Sequence, residues 1–97
     1  MASFEFSTEL WLYSGKARWY FVTLPHDISD EIDDIVPKRA GFGSVPVEVT
    51  IGLSTWKTSV FPDRAAASFV LPIKKPIRTK ESLTDGDIVT LRITPLI

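Results

Sequence analysis

The stretch VPVEVTIGLSTWKTSVF, Val45 to Phe61, decides the fold. With Gly52 and Leu53 at the two central positions of a type II′ turn, where glycine is wanted first, the register of one hairpin is fixed. Ile51 then faces Ser54, Val49 faces Trp56, Val47 faces Thr58 and Val45 faces Val60. One face of the hairpin is a β-branched row set against a large aromatic ring. The other is polar, with Glu48 opposite Lys57 and Thr50 opposite Thr55. A slip of one residue would send the valines to water and the charges to the core. Pro46 has no N–H to give to a ladder and belongs at the start or free edge of its strand.

Before this hairpin, Lys38 to Ser44 (KRAGFGS) reads as a glycine-containing loop. Gly41 and Gly43 look like the opening of a dinucleotide fingerprint, but a strand follows in place of a helix and Pro46 stands where the third glycine belongs. Pro25 to Pro37 carries a helical period. Ile28, Ile32, Ile35 and Val36 form one apolar stripe, and Asp27, Asp30, Glu31, Asp33 and Asp34 fill the rest. The early acids suit the positive end of the helix dipole and Pro37 ends the helix. These carboxylates lack the glycine-containing calcium loop and any histidine at ligand spacing, so they read as a solvated face. His26, the single histidine, precedes the helix with no base partner or nucleophile beside it and reads as a turn or capping residue.

Further out, Phe4 to Leu12 alternates as a half-buried strand, with Phe4, Phe6, Thr8, Leu10 and Leu12 inward. A turn at Ser14 and Gly15 would lead into a strand over Ala17 to Leu24. That register sets Leu10 against Trp19 inside and Trp11 against Arg18 outside, the outer pair suiting a cation–π contact worth about 0.5–1 kcal/mol. After the hairpin, Pro62 to Ala67 makes a turn and Ser68 to Ile73 a short strand with Phe69, Leu71 and Ile73 on one face. Lys74 to Leu83 is a basic connection with a helical turn around Ile77 to Ser82. Asp85, Gly86 and Asp87 turn the chain into a last strand, Ile88 to Thr94.

The chain is read as a single domain over its 97 residues, long enough to bury roughly two-thirds of its unfolded surface without staples. It has no cysteine, which removes disulfides, thiolate nucleophiles and cysteine zinc sites and fits a reducing cytoplasm. No apolar run approaches the roughly 18 residues that span a bilayer, and the amino terminus does not read as a signal peptide, so no membrane partner is expected. A net charge of −1 and a pI near 5.7 give no global attraction to nucleic acid.

The ordered motifs F-x-F-x-x-x-L (Phe4, Phe6, Leu10), W-x-F-V-x-L-P (Trp19 to Pro25) and W-K-T-S-V-F-P (Trp56 to Pro62) resemble a family of small bacterial and archaeal proteins known as a domain of unknown function. F-V-L-P-I-K-K (Phe69 to Lys75), Arg78 and the carboxy-terminal Leu83, Gly86, Asp87, Val89 and Leu91 continue the resemblance over nearly the whole chain. It departs at Gly52-Leu53, where relatives often carry an Asn-Gly type of turn. The resemblance implies a mainly β fold, a small double-split β-barrel of about six strands with one amphipathic helix and a short helical turn before the last strand. That architecture is shared with some bacterial transition-state regulators and antitoxins. It implies no activity, and relatives can be fused to a bacteriocin-protection-type domain.

Three functions compete. The first is a non-catalytic binding module for protein or a small anionic ligand, using a patch of Trp56, Lys57, Thr58 and Ser59 beside Lys74, Lys75, Arg78 and Lys80. The second is DNA binding, which the architecture suggests and the acidic balance opposes, since duplex affinity comes largely from phosphate neutralisation. The chain also has no asparagine or glutamine to read adenine, so nucleic acid is not the expected partner. The third is an enzyme. Gly52 to Trp56 offers only half of a nucleophile elbow, and no nucleophile with a base, carboxylate pair or metal set stands at recognisable spacing, so no cofactor is expected.

Overall fold

The computed structural model describes residues 2–15, 18–36 and 43–96. The expected loop over Lys38 to Ser44 and the stop at Pro37 fall mostly or wholly outside these residues, as does the expected start of the second strand at Ala17. The elements are β1 (Phe4–Leu12), β2 (Tyr20–Thr23), α1 (His26–Ile35), β3 (Val45–Ile51), β4 (Ser54–Asp63), β5 (Ser68–Pro72), α2 (Lys75–Lys80) and β6 (Ile88–Pro95). All strand pairs are antiparallel, and the sheet closes in the order β1-β2-β5-β4-β3-β6.

Two long strands close this barrel by changing partner along their length. In β1, Phe4 to Glu9 pair with β6, and Leu10 to Leu12 pair with β2. In β4, Ser54 to Val60 pair with β3, and Phe61 to Asp63 pair with β5. Each therefore belongs to two sheets, which makes the barrel double-split. The β3–β4 hairpin has the register read from its sequence, from Val45 opposite Val60 to Ile51 opposite Ser54. Of the two turn residues only Gly52 has a positive φ, +56°, as a type II′ turn requires. Pro46 is the second residue of β3, and its carbonyl accepts the Leu96 N–H.

Inside lie Val45, Val47, Val49 and Ile51 with Leu10, Val22, Val60, Leu71, Val89, Leu91 and Ile93. A barrel of this girth is filled by side chains and holds no channel. The expected amphipathic helix is α1. Ile32 and Val36 are buried, Ile28 and Ile35 half-buried, and the five acids exposed. A small polar bolt fixes it to β5: Ser29 Oγ accepts the Phe69 N–H and shares a hydrogen bond with Ser68 Oγ, which donates to the Leu24 carbonyl. The imidazole of His26 lies 2.8 Å from the Ala66 carbonyl and ties the start of α1 to the β4–β5 turn.

The other helix, α2, begins two residues earlier than the sequence suggests, because Pro76 fits a first helical turn where no N–H is needed. Ile77 packs on the core, and Glu81, just past the helix, accepts the Ser54 hydroxyl at the hairpin turn. A Cβ on Gly52 would run into that carboxylate.

The β1–β2 connection corrects the sequence reading. Leu10 faces Val22, Trp11 faces Phe21 and Leu12 faces Tyr20, so the turn is longer than Ser14-Gly15 and β2 begins at Tyr20. The register differs from the expected one by three residues. An odd shift exchanges the faces of β2: Tyr20 and Val22 point inward, while Trp19, expected inside, is 47% exposed. The expected Trp11–Arg18 pair gives way to a Trp11–Phe21 ring contact at 5.2 Å, with Trp11 Nε1 donating to Thr23 Oγ1.

Two substitutions test these joints. Gly52→Ala is expected to cost about 1–3 kcal/mol in urea unfolding through its left-handed backbone, whereas Leu53→Ala, at a side chain 92% exposed, leaves the midpoint in place. Ser29→Ala removes the side-chain acceptor of the buried Phe69 N–H and one of the two partners of the Ser68 hydroxyl, and is expected to cost about 1–3 kcal/mol.

Candidate functional site

The eight residues expected to form a binding patch are not brought together: those of β4 are divided by the period of the strand, and Lys80 is exposed at the end of α2. Trp56 stands opposite Val49 and packs on the core, and Thr58, opposite Val47, shares that inner face. Lys57 and Ser59 alternate with them and lie on the outer face, opposite Glu48 and Pro46. Lys74 and Lys75 are exposed where β5 runs into α2. Arg78 is half-buried, with its guanidinium carbon 3.8 Å from the centre of the Tyr20 ring and Nε donating to the Ile73 carbonyl. Its charge is thus occupied in holding α2 against β2 and β5.

A different surface emerges from the corrected β1–β2 register. With Val22 and Leu71 inside, the outer face of this side of the barrel presents Trp11, Phe21, Val70, Pro72 and Phe61. The β1–β2 connection adds Tyr13 and Trp19 above them. Phe21 is the hub: the Trp19 ring stacks on it at 6.0 Å and 10°, and the Tyr13 ring meets it edge-on at 6.3 Å. The Tyr13 ring also folds back over Gly15, filling the place where a Cβ would stand. Tyr13, Trp19, Phe21, Phe61, Val70 and Pro72 line an open groove of about 340 Å³. Three of its aromatic walls remain open to solvent, Tyr13 at 49%, Trp19 at 47% and Phe61 at 40%.

Such a concentration of exposed aromatic area is unusual where single apolar side chains are ordinary. Among the described residues no charged side chain lines the groove. The sequence reading missed it because that reading turned Trp19 inward. The signal that could have found it is the run Trp19-Tyr20-Phe21 joined to Trp11 and Tyr13. Five aromatic residues on two adjoining strands cannot all enter a small barrel.

A smaller hollow of about 210 Å³ lies between α1 and the β4–β5 turn, bordered by Ser29, Asp30, Asp63 and Arg64. Ser29 there accepts the Phe69 N–H of β5, and His26, at the start of α1, is bonded to the Ala66 carbonyl. Among the described residues no group of three or more histidine, aspartate or glutamate side chains is placed to hold a metal ion. None of the described helices is long and apolar enough to cross a membrane.

Fold and surface together define a small, closed, double-split β-barrel domain with an aromatic groove on its outer wall. The chain belongs to the family described as domain of unknown function DUF1905, whose model matches residues 6–93. No curated protein shows significant similarity to it.

On the inner face, Trp56 Nε1 is buried without a hydrogen-bond partner among the described residues. Such an orphan donor costs about 1–3 kcal/mol. Trp56→Phe is therefore expected to be tolerated with a loss below about 1 kcal/mol, since removing the donor offsets the smaller ring; a loss of about 2–5 kcal/mol, as in ordinary core truncation, would show that this nitrogen is satisfied.

Proposed function

We propose that this protein is a non-catalytic binding module that recognises another protein through the aromatic groove formed by the β1–β2 connection, β2, β4 and β5, and that it acts in the cytoplasm. The observation that carries this reading is the three solvent-open rings of Tyr13, Trp19 and Phe61 around the Phe21 hub. Large, stiff aromatic side chains bind with little loss of rotamer freedom and dominate the energetic centres of interfaces. A cysteine-free chain fits the reducing compartment.

Duplex DNA is less well served by this surface, because among the described residues the groove has no cation in its lining and Arg78 is engaged within the fold. Catalysis is not favoured by a hollow whose serine and neighbouring histidine are both held by main-chain partners.

Panning a displayed random-peptide library against the wild-type chain and the Trp19→Ser and Phe61→Ser variants tests the reading. Both sites are substantially exposed, so the variants are expected to melt within a few degrees of wild type while losing the enriched peptides. Enrichment that survives both substitutions, or no enrichment on the wild type, contradicts it.

A further inference from the structure

The groove has a charged end. Phe61 lies opposite Val70 on the outer face. Along β4 the outer face continues from Phe61 to Ser59 and Lys57, and beyond β5 it continues from Pro72 to Lys74. Lys57, Lys74 and Lys75 are exposed, as is Arg18 next to Trp19. None of the four is in an ion pair with another described residue, and the acid opposite Lys57, Glu48, makes none with it. Glu81, the acid at the end of α2, is taken by the Ser54 hydroxyl. The five carboxylates of α1 belong to the other end of the barrel, where that helix packs on Ser68 and Phe69. The outer face thus passes from apolar side chains to exposed cations that make no ion pair among the described residues.

Resting on the reading of the groove as a protein-binding surface, we infer that its occupant is an acidic peptide segment that seats one bulky apolar side chain between Trp19 and Phe61 and lays carboxylates toward Lys57 and Lys74. Charge complementarity selects the sign of the partner. Openness selects its form: a small aromatic acid is held where most of its surface is enclosed, whereas an extended segment uses a shallow groove for one side chain and the rim for the next. The cations contribute to rate and selectivity and the rings to the affinity that remains when salt screens the charges.

The test uses short fluorescein-labelled peptides in anisotropy titrations: a Trp-Leu pair flanked by glutamates, the same pair flanked by lysines, and an Ala-Ala pair flanked by glutamates. The glutamate-flanked Trp-Leu peptide is expected to bind at least about tenfold more tightly than either control, with an advantage over the lysine-flanked one that shrinks in high salt. Lys57→Glu combined with Lys74→Glu is expected to invert the preference between the charged flanks while leaving the melting curve near wild type. Equal binding of the two Trp-Leu peptides, lost in Trp19→Ser, would overturn the acidic partner and leave the groove as a binding surface. Two further results would overturn the peptide as occupant: a wild-type dimer in sedimentation that Trp19→Ser renders monomeric, or co-sedimentation with phosphatidylserine vesicles without binding of any peptide.

Discussion

The constraint on which this molecule depends is the two-residue period of its strands, applied to a sheet that must close with only six of them. Each strand turns alternate residues to opposite faces, so once one register is set, every neighbouring register decides what is core and what is surface. The β3–β4 hairpin sets the first by placing a single positive-φ glycine at its turn. Closure then requires β1 and β4 to give up one partner and take another part way along. Where they do so, the ends of the barrel are left to the helices. Ile32 and Val36 of the α1 segment seal one and Ile77 the other, each helix bolted by a side-chain hydrogen bond, one accepted by Ser29 from the Phe69 N–H and one accepted by Glu81 from the Ser54 hydroxyl.

The same closure produces the groove. A small barrel has little room inside, and its interior is taken by valine, leucine and isoleucine. The aromatic residues of β2 and the β1–β2 connection are therefore displaced to the outer wall, where they stack on one another around Phe21. That cluster, together with α1 over Ser68, also explains why all five residues of β5 are buried although a half-exposed strand should alternate. Its inner residues face the core, and its outer residues Val70 and Pro72 lie beneath the rings. Burial on both faces stabilises β5, while the rings that cover it keep the remainder of their apolar surface in water.

Much of the fold was legible because the decisive signals are local. Gly52 pins one hairpin, the stripe of Ile28, Ile32, Ile35 and Val36 defines one helix, and Asp85-Gly86-Asp87 marks the entry to the last strand. The candidate site was less legible, for two reasons. Ser14-Gly15 imitates a tight turn, but Gly15 serves to admit the Tyr13 ring and the connection runs on to Trp19. The resulting three-residue error exchanged the faces of β2 and hid the groove. The second reason is that Trp56 to Ser59, contiguous in sequence, divide between two faces of β4, so a patch assembled from neighbours in the chain includes core residues. Lys57 and Ser59 lie on the outer face of β4, where their alternation puts them, and Lys74 and Lys75 are exposed after β5.

The outward placement of Trp19 and the inward placement of Trp56 are the two halves of this account, and quenching of single-tryptophan fluorescence separates them directly. In a chain with Trp11→Phe and Trp56→Phe, Trp19 should be quenched readily by acrylamide, and more strongly by iodide than by caesium because cations border it. In a chain with Trp11→Phe and Trp19→Phe, Trp56 should resist all three quenchers. Equal protection of the two tryptophans, or a Trp56 more accessible than Trp19, would contradict the register on which the barrel and its groove are built.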